Sequence, residues 1–126
     1  MALRSWNDAR VEVVSVTVGL AVSDLGAAVA WYRRVLQLPL PDLEPADGVV
    51  EFRIGTVWLQ LGQEPTPPGA GRTVLRLGVP DVDEQWARLQ AMGIAVGALE
   101  HVPGAVDFFD FTDPDGNRLS FYTERG

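Results

Sequence analysis

The side chains that could do chemistry in this chain are limited in kind. There is one histidine, His101, there is no cysteine, and all ten positive charges are arginines. A thiolate nucleophile, a disulfide framework and a cysteine-ligated zinc are therefore excluded. A metal site of two imidazoles and one carboxylate is excluded too, because a symmetric dimer still supplies one histidine to each site. The sequence also lacks the Gly-x-Ser-x-Gly motif and a phosphate-binding glycine loop.

The candidate ligand site consists of side chains on predicted strands. They are aromatic, cationic, acidic or neutral hydrogen-bonding groups, namely Thr17, Glu51, Arg53, Trp58, Gln60, Arg76, Phe108, Asp110, Ser120 and Tyr122. Aromatic rings stack on planar ligands and accept a cation over the ring face. Arginine binds a carboxylate or a phosphate through two parallel hydrogen bonds. The alternative for the rings is core packing, and the alternative for the arginines is an ion pair with a neighbouring carboxylate.

Three of the polar groups also have catalytic interpretations. An imidazole titrates near neutral pH, so His101 is a candidate general base, and the alternative is a surface histidine that anchors a loop. Glu51 and Asp110 could hold Mg²⁺ or Mn²⁺ in an all-oxygen site. The alternative is that both carboxylates lie at a polar rim or pair with arginines. No catalytic residue is assigned from the sequence.

Length and charge limit the function classes. The chain has 126 residues, 47% of them hydrophobic, which is enough for one domain with a packed core. Its net charge is −7 and it has no basic stripe, which argues against nucleic acid and anionic membranes as partners. No apolar stretch approaches the roughly 20 residues of a membrane span. Residues 1–14 lack the apolar core of a secretory signal, so a cytoplasmic location is predicted.

Two similar halves of the chain must position these side chains. Each half begins with a β-branched run, passes through an acidic turn, enters an amphipathic helix and returns as strands. The predicted first strand and helix cover residues 13–22 and 25–36 in the first half, and residues 73–79 and 83–92 in the second. Aligning Val22-Ser23-Asp24-Leu25 with Val79-Pro80-Asp81-Val82 gives an offset of 57 residues. Such an offset is the signature of a duplicated βαβββ unit.

Local signals mark the ends of the predicted elements. Ser23 or Asp24 is predicted to cap the first helix and Asp81 the second, each by accepting a hydrogen bond from a free backbone N–H group. Gly93 is predicted to follow the last turn of the second helix. Asp113-Pro114-Asp115-Gly116-Asn117 predicts a tight turn, because proline presets φ and glycine tolerates a positive φ.

Alternation along the strands predicts two kinds of sheet face. The remaining predicted strands cover residues 49–54, 57–61, 94–99, 106–111 and 118–122, with Gly55-Thr56 as a hairpin turn. Apolar residues alternate with polar or aromatic ones, so each sheet has an apolar face for the helices and a mixed face. A solvated face would carry mostly small polar and charged groups, whereas the mixed faces carry Trp58, Phe108 and Tyr122. We therefore predict a lined cavity.

The aromatic residues outside the strands are predicted to be structural. Trp31 with Val35 and Trp86 with Leu89 follow helical spacing, which favours the core. Tyr32 is predicted at the margin between helix and sheet. Trp6 lies in an N-terminal arm and is predicted to pack against a second subunit.

Two stretches of the sequence resemble one known protein group. Val22-Ser23-Asp24-Leu25, followed by Ala30-Trp31-Tyr32 and Val35-Leu36, is similar to the first strand–helix unit of the vicinal-oxygen-chelate superfamily. Phe111-Thr112-Asp113-Pro114-Asp115-Gly116-Asn117-Arg118-Leu119 resembles the last hairpin of that superfamily, which includes glyoxalases, bleomycin-resistance proteins and extradiol dioxygenases. The resemblance implies a single α+β domain over residues 1–126. Module one (about 13–62), a linker (about 63–71) and module two (about 72–123) would form a curved mixed sheet around a ligand cleft, paired in a homodimer.

The resemblance also says where metal-dependent members carry their ligands. By alignment of the motifs, the first-strand histidine falls on Thr17, the second-module histidine on Val74 and the last-strand glutamate on Ser120. The hairpin-strand ligand falls near Trp58 or Gln60. These residue types are not a usable replacement set, so the resemblance is closest to the bleomycin-resistance-like members, which bind drugs without a protein-bound metal ion.

The leading functional hypothesis is therefore a metal-independent binding protein without a cofactor. It would take an aromatic or partly cationic small molecule, such as an antibiotic or a secondary metabolite, into a cleft between modules. The alternative is a glyoxalase-like lyase or isomerase that uses a carboxylate-bound metal or acid–base chemistry by Glu51, Asp110 or His101. A third hypothesis is a regulatory or structural relic of the fold with no ligand.

Overall fold

The computed structural model describes residues 11–67 and 73–125, and there the chain forms two helices and eight strands. In chain order these are β1 (Thr17–Val22), α1 (Leu25–Val35), β2 (Leu43–Ala46), β3 (Val49–Ile54), β4 (Val57–Gln63), β5 (Val74–Gly78), α2 (Val82–Ala91), β6 (Glu100–Val102), β7 (Val106–Thr112) and β8 (Arg118–Glu124). Both helices lie within one residue of their predicted bounds.

The strands form two four-stranded sheets with the same topology. The first sheet has the order β1-β4-β3-β2 and the second the order β5-β8-β7-β6. In each sheet the first strand runs parallel to the last, and the other neighbours are antiparallel. The same plan built twice confirms the predicted α+β fold of two modules.

Capping side chains set the helix ends as the sequence predicts. Asp24 accepts a hydrogen bond of 3.0 Å from the backbone N–H of Ala27, and Asp81 accepts one of 3.2 Å from Glu84. Gly93 follows α2 with a φ of 80°, the left-handed conformation that glycine adopts without strain. The corresponding position after α1 is held by Gln37, which has a φ of 54° and is the one residue other than glycine with a positive φ in the described chain.

The core forms between the apolar faces of the sheets and the helices. In the first sheet the buried side chains are Leu20, Val22, Val50, Phe52, Leu59 and Leu61, and in the second they are Phe109, Phe111, Leu119 and Phe121. The three buried phenylalanines of the second sheet have ring centroids 5.4–5.8 Å apart. Burial of each such side chain stabilises the fold by about 1.5–3 kcal/mol. Trp31 and Trp86 pack against this core, as predicted.

The predicted strand over residues 94–99 is wrong. This segment contacts β7 at a single point, the bridge between Val96 and Phe111, and the second strand of the second module comes later, as β6. The carbonyl of Gly97 accepts a hydrogen bond of 3.0 Å from the indole of Trp86, while its N–H donates to Asp110. Because the indole of Trp86 already uses the carbonyl of Gly97, this segment is not free to extend the hydrogen-bond ladder of the sheet.

Three further differences from the sequence prediction have identifiable causes. β2 was missed because its four residues are all exposed and include Pro45, so no apolar alternation marks them. β1 begins at Thr17 rather than residue 13, since the last bond of the ladder runs from the N–H of Trp58 to the carbonyl of Val16. Tyr32 is fully buried rather than at the margin, because its hydroxyl finds a buried partner in Asp113.

Polar contacts tie the two halves together at both ends. The hydroxyl of Tyr32 donates a hydrogen bond of 2.7 Å to Asp113, and the side-chain amide of Asn117 donates one of 2.9 Å to the carbonyl of Ala21. At the other end, Arg88 of α2 donates to the carbonyls of Arg34 and Val35, at 3.3 and 2.5 Å. Arg88 therefore caps the carboxyl end of α1, where free carbonyls and the helix dipole favour a cation. Burial lowers the pKa of this guanidinium.

The remaining predictions concern membrane spans, Trp6 and the linker between the modules. No helix within residues 11–67 and 73–125 is long and apolar enough to cross a membrane. Trp6 lies outside the described residues. The predicted linker at 63–71 overlaps residues that are also outside them, so the module boundaries stay a prediction.

Candidate ligand-binding site

The mixed face of the first sheet presents a tryptophan covered by an arginine. Thr17, Trp58 and Arg53 lie side by side on β1, β4 and β3. The Arg53 guanidinium carbon is 5.3 Å from the centroid of the Trp58 ring, which is a cation–π contact. Arg53 Nε also donates to the carbonyl of Gly55 at 3.2 Å. Trp58 thus has one charged neighbour on its own sheet, and its side chain remains partly exposed.

The next row of this face is built from an amide and a carboxylate. Gly19, Gln60 and Glu51 are register partners across β1, β4 and β3. Gln60 Nε2 donates a hydrogen bond of 2.8 Å to Glu51 Oε2. Both side chains are half-buried. The pair leaves the carboxylate with further lone pairs, so it can accept hydrogen bonds from a guest.

The mixed face of the second sheet carries a cation and a carboxylate that are not in hydrogen-bond contact. Arg76, Ser120 and Asp110 are register partners on β5, β8 and β7. Arg76 Nη1 donates to the buried Ser120 hydroxyl at 3.3 Å and lies 3.8 Å from Asp110 Oδ1. Asp110 Oδ1 is shielded from solvent and has no hydrogen-bond partner among the described residues. Such an atom is costly to leave unpaired, whereas the rest of the Asp110 side chain is partly exposed and can accept a hydrogen bond from a ligand.

Aromatic side chains form the last row of this second face. Gly78, Tyr122 and Phe108 are register partners on β5, β8 and β7. A Cβ atom at Gly78 would lie 3.0 Å from the ring and the hydroxyl of Tyr122. The absence of a side chain at Gly78 therefore lets the Tyr122 ring lie across β5. Both aromatic residues are half-buried.

The register shows which positions of the two modules correspond. Gly19 and Arg76 are 57 residues apart, and their partners on the neighbouring strands are Gln60 and Ser120. The metal-ligand position on the hairpin strand, which the sequence leaves between Trp58 and Gln60, therefore corresponds to Gln60. The residues at these positions are a threonine, a glutamine, a valine and a buried serine, which supply none of the imidazole, thiolate or carboxylate ligands of transition-metal sites. No group of three His, Cys, Asp or Glu side chains within the described ranges is placed to hold a metal.

His101 lies apart from both mixed faces, on the short edge strand β6. Its Nδ1 contacts the carboxylate of Asp107, which also accepts a hydrogen bond of 3.0 Å from Arg125 Nε. The hydrogen bond from His101, and then that from Arg125, hold the pKa of Asp107 below its ordinary value. This arrangement matches the loop-anchoring interpretation of His101 and gives it no contact with the predicted site.

The ten predicted site residues fall into two separate groups. Thr17, Glu51, Arg53, Trp58 and Gln60 lie on the first sheet, and Arg76, Phe108, Asp110, Ser120 and Tyr122 lie on the second. No hydrogen bond or ion pair in the described part of the chain joins the two groups. Arg76 has the predicted alternative, an ion pair with Asp110, whereas Arg53 stacks on Trp58 instead of pairing with Glu51.

A cavity of about 490 Å³ lies at the junction of the two modules. We call it the junction cavity. Its lining comes from the end of α1 (residues 35–38), the hairpin between β3 and β4 (residues 53–57) and the end of β5 (residues 76–79). Gln85, Arg88 and Phe121 complete it. Arg53 and Arg76 are the only predicted site residues that line it. The sequence analysis missed this cavity, because residues from six elements meet there and no local motif marks them.

The comparisons with known proteins agree with this architecture. A family model described as the glyoxalase/bleomycin resistance protein/dioxygenase superfamily matches residues 14–121. The chain belongs to this superfamily. The resemblance found in the sequence is thereby confirmed. Comparison with the curated proteins finds no match.

Solved structures of similar proteins include an antibiotic-binding protein and an enzyme. An antibiotic-binding protein, TnmS3 from a Streptomyces species, is 26% identical with a TM-score of 0.76, covering 92% of this chain and 100% of that one. A glyoxalase/bleomycin resistance protein from Catenulispora acidiphila is 26% identical with a TM-score of 0.71, covering 88% and 98%. A lactoylglutathione lyase from Agrobacterium tumefaciens is 25% identical with a TM-score of 0.71, covering 86% and 91%.

Proposed function

We propose that this superfamily member binds a small organic molecule, such as an antibiotic or a secondary metabolite, between mixed sheet faces and without a protein-bound metal ion. The observation that carries the proposal is the partial exposure of the aromatic side chains on these faces. Trp58, Phe108 and Tyr122 are only half-buried, although the cores beneath them are closed. Exposed aromatic rings beside arginine and amide groups are typical of a surface that receives a ligand.

A homodimer would complete the cleft. β1 is the edge strand of the first sheet, and the residues leading into it are strongly exposed, with Val11 at 82%, Val14 at 90% and Val16 at 46%. An exposed apolar edge is a pairing hazard unless another chain covers it. A second copy seated on this edge would bring another sheet beside Trp58 and Gln60. A cytoplasmic location stays a prediction from the sequence.

The ligand chemistry follows from the groups on the two faces. Trp58 and Tyr122 offer stacking surfaces, while Glu51 and Asp110 offer carboxylate acceptors for a cationic or hydroxyl-bearing guest. The similarity to the antibiotic-binding protein TnmS3 supports an antibiotic-like guest. Sequestration needs only shape, stacking and hydrogen bonds, all of which this residue set supplies.

A second candidate is a lyase or isomerase reaction. Asp110 Oδ1 has no hydrogen-bond partner among the described residues, and the partly exposed carboxylate of Asp110 could accept a proton from a bound substrate. The similarity to a lactoylglutathione lyase supports this candidate. The donors at the metal positions argue for acid–base chemistry by carboxylates rather than for the superfamily's metal-assisted route.

Metal analysis and a ligand screen on the same dialysed protein test the proposal. A thermal-shift screen with glycopeptide and other cationic or aromatic antibiotics should find a compound that stabilises the protein, by about 2.7 kcal/mol at 100 times its Kd. Trp58→Ala should abolish the shift, and Trp58→Phe should retain most of it because the ring is kept. A stoichiometric transition metal, or ligand affinity unchanged in Trp58→Ala, would contradict the proposal.

The dimer is tested by light scattering on the intact chain. Val14→Lys should dissociate the dimer, because a charge would be buried at the interface. Leu40→Lys replaces another residue with an exposed side chain, 68% accessible, that lies away from β1 and should leave the dimer intact. A monomeric wild-type protein, or the same oligomeric state in both variants, would contradict the proposed dimer.

A further inference from the structure

We infer that the junction cavity is a second small-molecule site, which takes an amphipathic carboxylate. Helix ends and a hairpin line much of it, and it shares only Arg53 and Arg76 with the residues of the proposed cleft. Its volume of about 490 Å³ lies in the range of sites for drug-sized ligands. Sites of this kind commonly form where two structural units meet.

Charge gives the cavity its specificity. Its lining holds three arginines, Arg53, Arg76 and Arg88, and no aspartate or glutamate. The whole chain carries 17 acidic and 10 basic residues, so a lining with only cations is the opposite of the overall balance. A cavity with cationic groups and low-dielectric walls attracts an anion far more strongly than an open surface does. A planar carboxylate matches the paired donors of a guanidinium.

The rest of the lining specifies an apolar body for the same ligand. The lining also includes apolar side chains, among them Leu36, Ile54, Leu77, Val79 and Phe121. Burial of apolar ligand surface against them would supply the affinity, and the arginines would set the orientation. An inorganic anion lacks this apolar part, so an aryl or alkyl carboxylate is the better match.

The arginines retain donors for such a ligand. Arg76 uses Nη1 toward Ser120 and Asp110, and Arg53 uses Nε toward Gly55. Each guanidinium has five N–H groups, so most donors on these two side chains remain for a guest. Arg88 is different, because its terminal nitrogens cap α1, and it contributes charge rather than free donors.

The backbone at the cavity wall supports the assignment independently. Gln37 has a φ of 54°, in the left-handed region where glycine or asparagine is usual after a helix. A glutamine there costs roughly 1 kcal/mol relative to glycine. Gln37 is one of the cavity-lining residues, and its side-chain amide is a group that can donate a hydrogen bond to an anion.

Calorimetry with 2-naphthoate as the probe tests this site, with neutral 2-naphthamide as its isosteric control. Naphthoate should bind at least tenfold more tightly than naphthamide. Thr56→Glu adds a carboxylate to the exposed hairpin turn at the cavity and should weaken naphthoate binding by about tenfold. Thr66→Glu makes the same change at an exposed position away from the cavity and should bind like the wild type.

Two further outcomes locate the bound probe. Phe108→Ala alters the mixed face of the second sheet at a residue outside the cavity lining, so naphthoate binding should persist in that variant. Equal binding of naphthoate and naphthamide, equal affinities of the two glutamate variants, or loss of binding in Phe108→Ala would each overturn the assignment. The antibiotic screen with Trp58→Ala is separate from these measurements, so either site can fail alone.

Discussion

The hydroxyl of Tyr32 donates a hydrogen bond of 2.7 Å to the carboxylate of Asp113, which lies 81 positions further along the chain. Both residues are buried. The same carboxylate also accepts hydrogen bonds from the backbone N–H groups of Asp115 and Asn117 and from the Asn117 amide, at 2.8–2.9 Å. The turn that reads as Asp-Pro-Asp-Gly-Asn in the sequence is therefore a docking point for α1 as well as a chain reversal.

Removal of the Tyr32 hydroxyl should destabilise the protein. Tyr32→Phe leaves one oxygen of a buried carboxylate with a single donor, and the expected loss in the free energy of unfolding is about 1–3 kcal/mol. Urea denaturation followed by tryptophan fluorescence measures it. Tyr122→Phe is the matched control, because that hydroxyl makes no hydrogen bond among the described contacts, and its stability should stay close to wild type.

The same tyrosine predicts a loss of stability at high pH. Burial, and then the hydrogen bond and charge of Asp113, raise the pKa of Tyr32 far above its ordinary value of 10.0. In the unfolded chain the phenol ionises near pH 10, while in the folded protein it stays protonated. Stability from this group is thus fully present below pH 10 and is lost above it, by about 1.4 kcal/mol per pH unit. Unfolding curves between pH 8 and 11 should show this slope in the wild type and a weaker slope in Tyr32→Phe.

Gly78 should prove to be a positioning residue for Tyr122. A Cβ atom at this site would lie 3.0 Å from the tyrosine ring, so Gly78→Ala must displace the ring or the strand. We expect a cost of about 1–3 kcal/mol and an altered near-ultraviolet circular dichroism signal. Gly62→Ala is the control, because no atom lies within 4 Å of its added Cβ. An unchanged tyrosine signal in Gly78→Ala would show that the ring is not held by this contact.

Arg88 should stabilise the junction of the modules through α1. Arg88→Gln removes the donors from the carbonyls of Arg34 and Val35, and we expect a loss of about 1–3 kcal/mol in the free energy of unfolding. Arg34→Gln serves as the control, since its own side chain is exposed while its carbonyl stays capped. Equal stabilities of the two variants in guanidinium chloride would contradict the capping role.

Local sequence patterns predict most of the helices and strands, whereas long-range contacts, which these patterns do not encode, determine other features of the fold. The alternation of Val50 and Phe52 with Glu51 and Arg53 correctly predicts which side chains share a face. The same alternation misleads at residues 94–99, because the indole of Trp86 takes the carbonyl of Gly97. No sequence pattern reports a hydrogen bond that a helix makes to a segment eleven residues away.

For the candidate site, too, strand periodicity predicts some features and not others. The ten residues were chosen by face, and the structure places them on the mixed faces of two sheets, with contacts such as Gln60 to Glu51 within each sheet. Their grouping across sheets depends on how the modules and a second copy pack, which strand periodicity does not encode. The junction cavity was missed for a similar reason: Arg88 follows helical spacing, and its position beside Arg53 and Arg76 is a property of the tertiary structure.

The polar ties between α1 and the Asp113 turn, and between Arg88 and the end of α1, also bear on how the duplicated chain arose. Each half repeats one plan, yet each now satisfies buried groups that belong to the other. A free-standing half would leave a carboxylate, a phenol and helix carbonyls without partners. The repeat has therefore become interdependent: the chain should melt in a single cooperative step, and neither module should return to an independent existence.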